Sequence, residues 1–306
     1  MERYVTKDGA IAKYVHDDGS ETSIKTWPKE LSCGKSGRNK FNVFASCSSG
    51  CPVFCKFCFL TAKNYSFMQL AAADIIDNAV GAVKTELEYR PELQDIPMNL
   101  SWMGMGDPFF GLSKTVTMSV RILKELGYYV KNFEGVDIGT TLPVASSQHI
   151  ELIYLEDFLK NSGKLTARPE SRSSVRIFYS LHSLINSVRS KLIPNTVAVY
   201  HALAYLKVLK TASYNVICHC LFLDGVNDSD EEIQMLARYF EDSDMQLRIL
   251  RYNQCLGSKY KESEKFEEII EYLFVHLGDN LKVQVSPGSE IAAACGMFLM
   301  KGGIKQ

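Results

Sequence analysis

Cys51-Pro-Val-Phe-Cys55-Lys-Phe-Cys58 places three thiols within eight residues, and this is the densest chemistry in the chain. Thiolates are soft ligands that suit zinc or iron–sulfur clusters. A structural zinc closes with four ligands, often as two separated Cys-x-x-Cys pairs. Here three thiols stand together without a partner pair. Cys218 and Cys220, one residue apart on an expected strand, share a face and make a poor zinc knuckle. Three thiolates on one loop leave one iron of a cubane open, and an open iron can hold a substrate or cofactor. The plain alternative is a zinc site or an unused buried group of cysteines, and the open ligand set weighs against it.

The other cysteines do not turn the chain into a disulfide scaffold. There are nine in 306 residues, unevenly spaced, in a chain large enough to build a core without staples. A tight cysteine group in a reducing compartment binds metal more often than it forms disulfides, so a cytoplasmic place is expected. No apolar run is long enough to cross a bilayer, and no basic-plus-apolar leader opens the sequence. The formal net charge of −1 lacks the basic excess that a grip on a large folded RNA draws on.

The elements that must position the cysteine loop alternate. Lys7-Asp8-Gly9 and Asp17-Asp18-Gly19 are turn signals between strand-like stretches, so residues 1–40 read as an N-terminal β-hairpin extension. Residues 41–306 read as the main domain. Strands are expected at Asn42–Ser46, Met98–Trp102, Val136–Thr140, Val175–Ser180, Asn215–Leu221 and Leu247–Leu250, with Lys282–Val285 closing the series. Helical segments lie between them. The clearest begins at Ser229, where Ser229 and Glu232 predict a capping box ahead of Ile233, Leu236, Ala237 and Phe240. Such alternation predicts an α/β fold, a partial (β/α)6 TIM-like barrel with a parallel sheet. Ligands then sit at the carboxyl ends of the strands, where each motif falls.

The Cys-x3-Cys-x2-Cys spacing, the aromatic Phe57 before the last cysteine, and the place after the first barrel strand resemble the radical S-adenosylmethionine (SAM) superfamily. The resemblance implies a [4Fe–4S] cluster on Cys51, Cys55 and Cys58 whose open iron chelates S-adenosyl-L-methionine, with Phe57 beside it. It also implies cleavage of SAM to a 5′-deoxyadenosyl radical, with an electron from a donor such as flavodoxin or ferredoxin. Cys55-Lys-Phe-Cys58, Met103-Gly-Met-Gly-Asp-Pro108, Ser180-Leu-His182, Leu223-Asp-Gly-Val-Asn-Asp228 and Ile291-Ala-Ala-Ala-Cys-Gly296 resemble, in order, the RlmN/Cfr family of RNA adenine methyltransferases. That likeness covers about residues 20–300. It places Gly106 and Asp107 where the family has a Gly-Glu pair for the SAM amino group, and it puts Ser180, His182 and Asn253 beside SAM. Thr140 or Thr141 takes a ribose-contacting position, and Cys295 matches the cysteine that accepts a methyl group.

Two departures redirect the expected function. The family's second cysteine, which resolves the covalent enzyme–RNA adduct, falls on Phe44 here; Cys47 and Cys33 are the substitutes at hand, and Cys47 lies three residues on, facing differently along a strand. The family's N-terminal RNA-binding domain is represented by about 50 residues. From these the sequence favours a small nucleoside or nucleotide substrate over RNA. The specific expectation is a C–N lyase that releases queuine from queuosine or its phosphate. An RNA adenine methyltransferase using Cys295 is the first alternative, and a non-catalytic metal-binding interaction protein the second.

Overall fold

The computed structural model describes residues 1–27, 39–143, 150–166, 173–254, 257–284, 287–294, 296–298 and 304–305. The two N-terminal turns do what their residues predict. Gly9 and Gly19 adopt positive φ, and the strands β1 (Glu2–Val5), β2 (Ile11–Val15) and β3 (Glu21–Trp27) fold back on one another. β3 then pairs antiparallel with β4 (Lys40–Ala45), so the hairpins run into the main sheet without a break.

From β4 onward the chain alternates. A short turn of helix, α1 (Phe59–Ala62), and a long helix, α2 (Ala72–Tyr89), lead to β5 (Met98–Trp102); α3 (Leu112–Leu126) leads to β6 (Phe133–Thr140). Next come α4 (Ile150–Asn161), β7 (Val175–Ser180), α5 (Asn186–Leu192), α6 (Val199–Thr211) and β8 (Asn215–Cys220). The series continues with α7 (Asp230–Glu241), β9 (Gln246–Leu250), α8 (Phe266–Leu277) and β10 (Leu281–Gln284), and β11 (Ile304–Lys305) pairs with β1. β4 through β10 are neighbours in sequence order and all parallel. This is the α/β partial barrel that the alternation predicts, an open curled sheet rather than a closed one.

The two faces of this sheet differ in character. Outward positions such as Val43, Leu100, Ile138, Ile177, Cys218, Cys220 and Ile249 join the helices in the main apolar core. Cys218 and Cys220 are thereby core side chains, buried as small hydrophobes. Inward positions are polar and bind one another. Asn99 donates to Asp137 at 2.8 Å, Arg176 grips Asp137 through two 2.6 Å bonds, and Arg248 donates to Gln284 at 3.1 Å. Burying such groups is tolerable because each finds a partner.

The hairpins are held to α2 by a buried carboxylate. Glu86, fully buried, accepts from Arg3 Nε at 3.0 Å and from the Tyr14 hydroxyl at 2.5 Å, and pairs with Arg90 at 2.8 Å. At α7 the structure corrects the expected capping box. Ser229 does cap the helix, accepting from the Glu232 backbone N–H at 3.3 Å. The Glu232 carboxylate, however, accepts from Ser183 Oγ at 2.8 Å and Leu184 N–H at 2.7 Å, so a partner outside the helix has captured the side chain meant to close the box.

Candidate active site

The cysteine loop leaves the carboxyl end of β4 and is fixed before it reaches its thiols. Ser49 and Met68 exchange backbone hydrogen bonds at 3.0 and 2.8 Å. Gly50 between them has φ +73°, and a Cβ there would meet Ser66 O at 2.5 Å. Farther on, the Lys56 N–H donates to Leu192 O at 2.8 Å, and Asn195 donates to Pro52 O at 2.9 Å. Val53 sits in a small apolar cluster with Leu192, Ile193, Leu221 and Leu223. The loop is therefore rigid on the side where its cysteines lie.

Cys51, Cys55 and Cys58 are half-buried free thiols lining one cavity. Burial pushes the Cys51 thiol up to about 11, and it drives Cys55 well above the ordinary thiol range, with its neighbours Cys51 and Cys58 adding to the rise. Among the described residues no group of three or more His, Cys, Asp or Glu side chains is gathered for a single metal ion. A cubane takes one thiolate on each of three irons, so its ligands surround a cluster and need not converge on one point. The donor set fits a [4Fe–4S] cluster better than a zinc ion, which takes four closed ligands.

Phe57, Gly106, Asp107, Thr140, Thr141, Ser180 and His182 line the same cavity. Phe57 meets the His182 ring edge-on, with centroids 4.9 Å apart. His182 has φ +58°, its Nδ1 accepts the Leu221 N–H at 3.2 Å, and its carbonyl accepts Asn227 Nδ2 at 2.6 Å. Burial, with the Arg189 cation nearby, lowers its pKa to about 3, so the ring is neutral. Gly106 has φ +91°, and a Cβ there would strike Ser48 Oγ at 2.3 Å and Cys47 Sγ at 2.5 Å. Only glycine lets the backbone come this close. The Asp107 carboxylate has both oxygens engaged: Oδ1 accepts from Thr140 Oγ1 at 2.8 Å and Phe109 N–H at 3.0 Å, and Oδ2 accepts from Thr141. Burial raises its pKa even so.

Some expected residues are placed elsewhere. Asn253 is half-buried and is not among the residues that line the cavity. Cys295 lies outside the described residues, as does Cys33. The residues flanking Cys295 do line the cavity: Ala294 packs with Phe59, Ala292 and Met297, and Gly296 O accepts the Phe59 N–H at 3.0 Å. Phe44 also lines it. Cys47 is no substitute for a thiol there. Its Sγ donates to Met105 O at 3.4 Å behind Gly106, and it is not a lining residue.

The structure adds residues that the sequence reading did not single out. Arg189, buried, spans three loops: it donates to Leu181 O at 3.0 Å, Thr196 Oγ1 at 2.7 Å, Thr141 O at 2.9 Å and Ser180 O at 3.1 Å. From the hairpins, Lys13, Glu21, Ser23 and Lys25 face into the cavity. Lys25 Nζ donates to Ala293 O at 2.6 Å and Pro287 O at 3.2 Å. Only their alternation along strands hinted at these inward positions.

Solved structures with this arrangement of strands and loops include a radical SAM methyltransferase from Sphaerobacter thermophilus, at TM-score 0.71 and 22% identity, covering 97% of this chain and 80% of that one. This chain has the radical SAM fold. SuiB of Streptococcus suis, solved bound to S-adenosylmethionine, shares the arrangement at TM-score 0.51 and 14% identity, over 80% of this chain and 50% of that one. In sequence the chain is similar to the dual-specificity RNA methyltransferase RlmN of Campylobacter hominis, 26% identical over 272 residues, which is 86% of this chain and 68% of the relative. RlmN of Campylobacter fetus subsp. fetus is 28% identical over 306 residues, 96% of this chain and 79% of the relative. No family model matches the chain. The [4Fe–4S] cluster and SAM read from the sequence are the cofactors of radical SAM enzymes.

These relatives correct the expected reaction. They are named RNA methyltransferases, so release of queuine from a nucleoside by C–N cleavage is not supported. The preference for a small-molecule substrate rested on net charge, on Phe44 and on the short N-terminal stretch, and the names of the relatives favour the RNA methyltransferase alternative instead. No helix among the described residues is long and apolar enough to cross a membrane.

Proposed function

We propose that this radical SAM enzyme is a methyltransferase whose substrate is a nucleobase of RNA. The observation that carries the reading is the shared cavity. Cys51, Cys55 and Cys58 on one wall face the same space as Ala294 and Gly296, the neighbours of the methyl-accepting candidate Cys295. Phe59, directly after the last cluster cysteine, is hydrogen-bonded to Gly296. The naming of the relatives as RNA methyltransferases supports the same reading.

In this reading Cys51, Cys55 and Cys58 hold a [4Fe–4S] cluster, which supplies the electron for SAM cleavage when bound. Gly106, Ser180 and His182 line the SAM side, and Phe57 fixes the His182 ring. Arg189 ties the ends of β6 and β7 together, which holds Thr141 and Ser180 at a fixed separation. Asp107 serves the same scaffold by bonding Thr140 and Thr141. The apolar walls Phe44, Phe178, Leu221 and Leu250 limit water in the cavity.

The test is direct. Protein purified anaerobically with iron and sulfide should carry a methyl group on Cys295, visible by peptide mass spectrometry. With dithionite and methyl-labelled SAM it should transfer label into adenine of total cellular RNA. SAM cleavage that leaves Cys295 unmethylated and RNA unlabelled would reject the reading.

A further inference from the structure

We infer that His219 is a substrate-contacting residue, whose Nε2 makes one hydrogen bond to the edge of the nucleobase held in the barrel lumen. This rests on the RNA methyltransferase reading and adds to it a residue at the substrate.

His219 is the penultimate residue of β8, between Cys218 and Cys220. Strand alternation sends the two cysteines outward into the helix-covered core and the imidazole inward, where it lines the cavity. The side chain is 9% exposed, and Nε2 is buried with no hydrogen-bond partner among the described residues. Its surroundings make that unusual. The inward-facing Asn99, Asp137 and Arg176 bond one another, and Arg248 bonds Gln284 and Gln246. His182, the other histidine of the cavity, uses its Nδ1.

A buried polar atom without a partner costs about 1–3 kcal/mol, and natural proteins rarely keep one without a reason. None of the bonds made by Asn99, Asp137, Arg176 and Arg248 reaches Nε2. Charge does not supply a reason either: burial, with Arg248 and His182 nearby, drives the pKa well below the ordinary range, so the ring is neutral. A neutral imidazole offers a single directional bond with no charge to neutralise, which matches an uncharged heteroaromatic ring better than a phosphate. The Phe178 ring, 5.1 Å from His219 and also lining the cavity, gives that site an aromatic neighbour. Glu21 and Ser23 of the hairpins line the same cavity. Phe178, Arg248, His182 and Asp137 stand around the His219 ring.

The experiment compares wild type, His219→Phe and His219→Gln, each with iron content and melting temperature checked. Phe keeps a planar ring without the hydrogen bond; Gln keeps a hydrogen-bonding head. The expected result is a roughly tenfold or larger fall in kcat/KM for RNA in the Phe variant, carried by KM, with partial recovery in the Gln variant. A second readout needs no turnover: ligand-observed NMR of adenosine with SAM at saturation, where the Phe variant should bind at least fivefold more weakly than wild type. If wild type labels no RNA yet adenosine binding depends on His219, the methyltransferase reading fails and this site stands. If the Phe variant matches wild type in adenosine binding and in RNA kinetics, or if its defect falls on SAM affinity alone, the inference is wrong. Should the Phe variant fail to fold, a Gln variant that binds adenosine less than wild type supports the site. A Gln variant indistinguishable from wild type, with a folded His219→Leu also indistinguishable, overturns it.

Discussion

Asp107 holds Thr141 twice: its Oδ2 accepts the Thr141 backbone N–H at 2.6 Å and the Thr141 hydroxyl at 2.7 Å. With Thr140 and Phe109 on the other oxygen, the carboxylate is saturated, and it joins the loop after β5 to the end of β6. An aspartate one methylene shorter than glutamate reaches these partners and stops there. Asp107 thus reads as a brace for the cavity. Asp107→Ala should destabilise the protein by about 2–4 kcal/mol, since it strands buried donors on Thr141 and Phe109. Chemical denaturation without SAM should show the loss in full; a loss seen only with SAM bound would instead make Asp107 a ligand.

The three cysteines of the loop should be separable from the other buried ones. Cys51→Ala, Cys55→Ala or Cys58→Ala should each abolish the bound cluster, read as iron content and visible absorbance, and reduce 5′-deoxyadenosine formation to background. Cys218→Ala should keep the cluster and cost stability alone, about 1–2 kcal/mol, because its thiol sits in the helix-covered core.

Phe44 occupies the lining position where the relatives' resolving thiol is expected. Without that thiol, resolution of an RNA adduct on Cys295 should be slow, so that the adduct accumulates during turnover. Denaturing gels after single turnover should show a covalent protein–RNA band in wild type, and Phe44→Cys should diminish it. An absent band in wild type, with multiple turnover intact, would mean that another group resolves the adduct.

Gly104 presses on the strand that launches the cysteine loop. A Cβ there would lie 2.7 Å from the Ala45 carbonyl carbon and oxygen and from the Ser46 nitrogen, all backbone atoms that cannot swing aside. Gly104→Ala should therefore lower stability by about 2 kcal/mol or more and reduce cluster incorporation together. Gly9→Ala, where a Cβ meets nothing, should leave the cluster unchanged and cost only the strain of its positive φ.

Acid should destabilise the fold through its buried histidines, His16 of the hairpins among them. His16 is buried, with Nε2 2.9 Å from Thr22 Oγ1, and burial lowers its pKa to about 4 from an ordinary 6.5. The unfolded chain takes up this proton before the folded one does. Stability is thus complete above pH 6.5 and falls as pH drops toward 4, by on the order of 3 kcal/mol for this group. His182 and His219 act with the same sign, so denaturation across that window should show a combined slope that His16→Gln reduces by about one histidine's share; an undiminished slope would remove His16 from the acid response.

Much of this was legible in the residues themselves. Turn chemistry at Lys7-Asp8-Gly9 and Asp17-Asp18-Gly19, strand and helix periods, and the spacing of Cys51, Cys55 and Cys58 are local properties, written in neighbouring positions. They determined the alternating α/β fold, the place of the cysteine loop after the first barrel strand, and the chemistry of its thiols. What the tertiary structure decided is long-range. Glu232 looked like half of a capping box until Ser183 and Leu184 arrived beside it, and only the folded chain brings Thr140 and Thr141 onto the oxygens of Asp107. Lys13 and Lys25 of the hairpins were not singled out in the sequence, yet both line the cavity. Alternation along a strand separates two faces, and it does not say which of them will enclose a lumen. That is settled only when β3 closes against β4.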